Sequence, residues 1–193
     1  MRPIRAGVVV TLACVAALLG ACSEDSPAPP PSPSTSSSSS TTETTEPVPE
    51  PPALPPEATT PDAAGAAAFV RHWFDLANYA YATGETAPLE AVALEECESC
   101  SALISATGEV YDGGGKFEGA RVTVVGAEAG PIAADGVSLV TTVIDQEALS
   151  VIGADGESES TEPMVSGAAL AYYAQLLDGA WRAFAIAPVE RSR

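Results

Sequence analysis

Between residues 61 and 112 the hydrophobic positions follow a helical period, and from about residue 120 onward they alternate with polar ones. Phe69, Trp73, Leu76, Ala77 and Ala80 recur at the spacing of one helix face, and Val70, Phe74 and Tyr81 widen the stripe. That face is expected in a core, with Arg71, His72, Asp75, Asn78 and Tyr79 turned to solvent. Thr60 supplies a capping hydroxyl, Pro61 suits the first helical position and Asp62 complements the helix dipole, so the helix should start there and stop at Gly84. Thr86 followed by Pro88 predicts a second, short helix through about Leu94. A third is expected from Ser99 to Asp112, with Cys100, Leu103, Ile104, Thr107, Val110 and Tyr111 on one side and Gly113-Gly114-Gly115 as its stop.

Past the glycines the period becomes two. Segments 120–127, 137–146, 166–177 and 180–187 are rich in Val, Ile, Thr and aromatic residues, and Asp135-Gly136 and Asp178-Gly179 are strong turn signals. Asp155-Gly156 falls in a longer acidic connection between the second and third of these strands. Tyr172, Tyr173, Trp181 and Phe184 read as sheet packing, alternate ones facing the core. The expected class is α+β: three N-terminal helices packed on a curved antiparallel sheet of about four strands.

Ahead of residue 61 no such periodicity exists. Arg2 and Arg5 precede a predominantly apolar core of thirteen residues, Gly7 to Leu19, too short for the roughly 20 that cross a bilayer as a helix, so residues 1–21 read as an export signal. From Ser23 to Thr60, 27 of 38 residues are Ser, Thr or Pro, a composition from which no core can be built. Residues 22–60 are therefore expected to be a disordered tether with a coil reach of about 35 Å and a substrate type for O-glycosylation. Residues 61–193 are expected to form one domain.

Charge narrows the partners. The chain carries 26 acidic residues against 8 Lys and Arg, a net charge of −18, and loss of the signal with Arg2 and Arg5 takes this to −20. Such a field opposes nucleic acid and anionic lipid surfaces.

Leu19-Gly20-Ala21-Cys22 resembles the lipobox of bacterial lipoproteins. The resemblance implies a diacylglyceryl thioether on Cys22, cleavage before it, and a mature protein held by its acyl chains on the outer face of the cytoplasmic membrane. A plain secretory signal leaving Cys22 as a spare thiol, or an uncleaved membrane helix, are the alternatives. The helix Ala66-Ala67-Ala68-Phe69-Val70-Arg71-His72-Trp73-Phe74, the step Gly84-Glu85-Thr86 into Pro88-Leu89-Glu90, and the hairpin Asp178-Gly179-Ala180-Trp181-Arg182 resemble the cone-shaped fold of the nuclear transport factor 2-like and ketosteroid isomerase-like superfamily. Together with Cys97-Glu98-Ser99-Cys100, lipobox and tether resemble uncharacterised lipoproteins of high-GC Gram-positive bacteria. This implies a location and a fold but no activity.

The chemistry-bearing residues are few. Cys97 and Cys100, the remaining cysteines after Cys22, are spaced so that a helical turn brings them within bridging distance, and outside the cytoplasm a structural disulfide is expected. A redox pair or a metal site is the alternative, opposed by Glu95, Glu96 and Glu98 in the first case and by the single His72 in the second. His72, Asp75 and Tyr79 share a stretch of the first helix and could do acid-base work if they faced a pocket; otherwise they form a solvated face. Asp155, Glu157, Glu159 and Glu162 could gather calcium, or form a wet acidic loop. No cofactor is expected. The leading expectation is a noncatalytic domain binding an envelope protein or small ligand; the competing one is an isomerase- or cyclase-like enzyme with a pocket inside the cone, for which no catalytic residues can be mapped.

Overall fold

The structure, a computed structural model, describes residues 49–189. The expected signal, Cys22 and most of the expected tether lie outside the described residues. The tether's last residues do not: Pro56–Thr59 form a 3-10 turn with Ala58 buried, and Trp181 Nε1 donates to Thr60 O at 2.8 Å.

Three helices follow, α1 (Ala63–Thr83), α2 (Ala87–Glu90) and α3 (Glu98–Asp112). Asp62, not Thr60, caps α1: its carboxylate accepts from Gly65 N at 2.8 Å and from the Thr60 hydroxyl at 3.1 Å. The Gly65 amide first, then the Thr60 hydroxyl, hold the Asp62 carboxyl below its ordinary range. Gly84 ends α1 in the left-handed conformation, φ 79°. A β-carbon there would press on the Tyr111 ring, whose hydroxyl donates to Tyr81 O at 2.6 Å and so ties α3 to the end of α1.

The expectation of one sheet of about four strands is overturned. Among the described residues seven strands, β1 (Lys116–Gly119), β2 (Val122–Ala129), β3 (Val137–Gln146), β4 (Leu149–Ile152), β5 (Ser158–Glu162), β6 (Val165–Leu177) and β7 (Ala180–Pro188), make two antiparallel sheets. One has the order β2-β3-β6-β7, the other β1-β4-β5. The physical cause lies at Gly119 and Ala120, both at positive φ (74° and 68°), which break one long strand into β1 and β2. The partner strand breaks opposite them, where Ala120 N donates to Ala148 O and Glu147 N donates to Arg121 O. The acidic connection around Asp155-Gly156 is the β4–β5 hairpin, with Gly156 at φ 82°. Its second strand, Ser158–Glu162, is exposed throughout and has no apolar alternation to betray it.

The core lies between α1 and the four-stranded sheet. Trp73 meets Phe74 and Tyr172 edge-on with ring centroids 5.1 and 5.6 Å apart, and Phe69, Val70, Leu89, Val140, Ala174, Trp181 and Ala183 fill the rest. Tyr172 and Trp181 face inward, whereas Tyr173 is half-buried and Phe184 exposed on the outer face. Two of the polar residues expected in solvent also close the sheet edge, Arg71 remaining exposed and Asn78 becoming half-buried. Asn78 Nδ2 donates to Val122 O and Val122 N donates to Asn78 Oδ1, both at 2.8 Å, while Arg71 Nη1 donates to Val124 O at 3.0 Å. The opposite edge is closed by the segment after α2: Ala183 N donates to Val92 O and Leu94 N donates to Ala183 O.

Candidate functional site

Because α1 lays one face along the sheet, Trp73, Ala77 and Tyr81 stand in line at successive turns with Phe74 beside them. They form one wall of a cavity of about 220 Å3. The first turn of α3 contributes Ser99 and, four residues on, Leu103. The sheet contributes Val122 from β2, Ile144 and Gln146 from β3, Leu170 from β6 and Ile186 to Pro188 from β7. The wall is mostly apolar and aromatic; Gln146, Ser99, Tyr81 and Trp73 are its residues with polar side-chain atoms.

Ser99 is engaged, since Ile186 N donates to its Oγ at 3.0 Å, and the Gln146 amide donates no hydrogen bond among the described residues. Burial pushes the Tyr81 phenol up and the Tyr172 phenol beneath the cavity well up, so both stay protonated at neutral pH. Trp73 Nε1 and the Tyr172 hydroxyl are buried without hydrogen-bond partners among the described residues. An apolar space of this size, with one uncommitted amide at its wall, can hold and orient a small molecule; an acid-base reaction there would have Tyr81 as its one ionisable lining group.

The candidates read from the sequence fall elsewhere. His72 is buried at 4 % exposure, against the expectation of a solvated residue, and burial lowers its pKa from the ordinary 6.5, with Asp75 pulling the other way. Asp75 is exposed, Tyr79 is half-buried, and no hydrogen bond joins the three. Cys97 and Cys100 form a disulfide with α-carbons 5.2 Å apart, both residues fully buried, and Cys97 Sγ caps α3 by accepting from Cys100 N. Asp155, Glu157, Glu159 and Glu162 lie on the β4–β5 hairpin, where Asp155 Oδ1 accepts from Glu157 N and shapes the turn. Among the described residues no three His, Cys, Asp or Glu gather to hold a metal. Leu170, Gln146 and Ile186 escaped the sequence reading, which saw only that their strands alternate.

Residues 37–186 match the model of DUF6318, a family of unknown function. No curated protein matches the chain. Among solved structures, the intermembrane space region of chloroplast protein ARC6 superposes with a TM-score of 0.50 at 13% identity, over 67% of this chain and 98% of that one. An uncharacterised protein with a cystatin-like fold from Caulobacter vibrioides gives a TM-score of 0.39 at 17% identity, over 66% and 88%. The first likeness is one of fold alone. Among the described residues no helix is long and apolar enough to cross a membrane.

Proposed function

From the chain's membership of the DUF6318 family, whose function is unknown, we propose that it is a membrane-anchored extracytoplasmic lipoprotein whose domain binds a small apolar ligand between α1 and the four-stranded sheet. The observation that carries the binding half is the cavity: aromatic and aliphatic walls, about 220 Å3, and an unengaged Gln146 amide at the edge. An apolar cavity of roughly 150 Å3 already admits benzene, so a one-ring molecule or a short acyl chain fits. Leu19-Gly20-Ala21-Cys22 after a short apolar run supports the anchor, and the Ser/Thr/Pro-rich segment supports a spacer that holds the domain off the membrane.

Two measurements test the two halves. Intact mass of protein extracted from membranes should begin at an acylated Cys22, and a soluble, unmodified chain overturns the anchor. Toluene added to the full chain should shift the resonances of Trp73, Leu103 and Leu170, and Leu170→Trp, which fills the space, should abolish the shifts. Shifts spread over the outer sheet face, or unchanged by Leu170→Trp, overturn the cavity.

A further inference from the structure

The few cations of this domain are not scattered. Residues 49–189 hold four Lys and Arg, namely Arg71, Lys116, Arg121 and Arg182, against 21 Asp and Glu. Two of the four, Arg71 from α1 and Arg121 from the residue before β2, line one cleft of about 330 Å3 together with Asp75, Asn78 and Thr123. We propose that this cleft is a binding site for a small organic monocarboxylate, held by the two guanidinium groups. The site stands apart from the apolar cavity: Phe74 and Val122, which back both spaces, are buried, and the two Asn78–Val122 hydrogen bonds close the seam between them.

With carboxylates in such excess, a cation here is expected to find one in its own chain. Yet the one ion pair among the described residues is Lys116–Glu118. Each acid near the cleft is accounted for. Asp75, one turn beyond Arg71 on α1, comes within bridging distance of neither guanidinium. Asp145, opposite Thr123 across β2 and β3, spends its carboxylate on Gly167 N at 2.8 Å and the Ser166 hydroxyl at 2.9 Å. Glu147 donates its amide to Arg121 O but pairs its carboxylate with neither arginine. Arg71 donates one N–H to Val124 O and keeps the rest of its fork, and Arg121 donates no side-chain hydrogen bond among the described residues. Two guanidinium groups against the Asp75 carboxylate leave the lining net positive inside an acidic chain.

The backbone beneath both arginines is fixed before any ligand arrives. Asn78 clamps Val122, the neighbour of Arg121, by its N–H and its C=O; Arg121 O is taken by Glu147 N; and the Arg71 side chain is tied to Val124 O. Less ordering is then left for binding to bring about. A planar guanidinium fork matches a carboxylate with two parallel N–H···O bonds, a geometry that a spherical anion cannot reproduce. The net charge of −18 repels a dianion more than a monoanion, which disfavours a phosphate monoester. A space of about 330 Å3 also leaves room beside the carboxylate for a body of several carbon atoms.

The test uses the full chain at constant ionic strength and three probes, propanoate, propanamide and inorganic phosphate, followed by amide chemical shifts. Propanoate should bind saturably, about tenfold more tightly than propanamide, as charge-assisted hydrogen bonds predict, and more tightly than phosphate. Its shifts should fall on residues 71–78 and 121–124 and leave Leu103 and Leu170 in the apolar cavity unmoved. Arg121→Gln should bring propanoate down to the affinity of propanamide with an unchanged thermal midpoint. Arg121→Lys, which keeps the charge and removes the fork, should lose most of the advantage as well. Equal binding of acid and amide, shifts that grow without saturation, or an advantage that survives Arg121→Gln overturns the site. Phosphate binding tighter than propanoate, or an Arg121→Lys variant equal to the parent, overturns the carboxylate and leaves a generic anion contact. Toluene binding in the apolar cavity is independent of all these outcomes.

Discussion

The Ile186 amide donates to Ser99 Oγ at 3.0 Å, joining β7 to the first turn of α3 across 87 residues of sequence. Ser99 sits inside the Cys97–Cys100 loop, and both Ser99 and Ile186 line the cavity. The disulfide therefore braces a cavity wall as well as a helix start. Closing so short a loop contributes only about 2 kcal/mol in the chain-entropy model. Replacing both cysteines by serine should lower stability by about that amount in a denaturant titration and weaken toluene binding. Because both sulfurs are fully buried, alkylation of the native protein should require reductant and denaturant together; two thiols labelled without reductant would contradict the bond.

Asn78 makes two hydrogen bonds to one residue of the β2 edge. Asn78→Ala should cost about 2 kcal/mol, the sum expected for two half-buried neutral bonds. Asn78→Asp should fare no better, since it turns a carboxylate oxygen toward the Val122 carbonyl. A stability for Asn78→Asp close to the parent would show that the donor half of the clamp is idle.

Trp181 Nε1 holds Thr60 O, and with it the 3-10 turn at Pro56–Thr59. Trp181→Phe keeps most of the apolar contact and removes the donor. The expected result is a loss of about 1 kcal/mol with faster hydrogen exchange at Ala58 and Thr60 and earlier proteolysis before Pro61. Unchanged exchange there would mean the turn is held by packing alone.

The His72 pKa is depressed from 6.5, first by burial, against the attraction of Asp75. Protonation is thus disfavoured in the folded state relative to the unfolded one. The contribution is intact above the unfolded value and is lost as pH falls from 6.5 toward the lower folded value. His72→Gln should therefore flatten the stability profile across that window. Asp62 and Asp145, both held below 3.8, in each case first by a backbone amide, act lower: their contribution is present above 3.8 and is lost as pH falls through their folded values. A parent and a His72→Gln variant with parallel profiles between pH 6.5 and 5 would place His72 in water.

Elements that carry their own periodicity can be read directly from the order of the residues. The 3.6-residue stripe from Phe69 to Ala80 marked α1, the glycines at 84 and 113–115 marked helix ends, and Val/Ile/Thr alternation with Asp178-Gly179 marked the four long strands, because these signals are local and each residue reports its own environment. The remaining features depend on partners far apart in the chain and arise only in the folded domain. The polar, fully exposed β5 is a strand because β4 pairs with it, and consecutive positive φ angles at Gly119 and Ala120 split one sheet into two. His72 is buried although its place on the helix wheel is polar, and Arg71 and Asn78 are taken up by the β2 edge. The cavity is a meeting of α1, α3 and four strands; no single segment encodes it, so no pattern within one segment could disclose it.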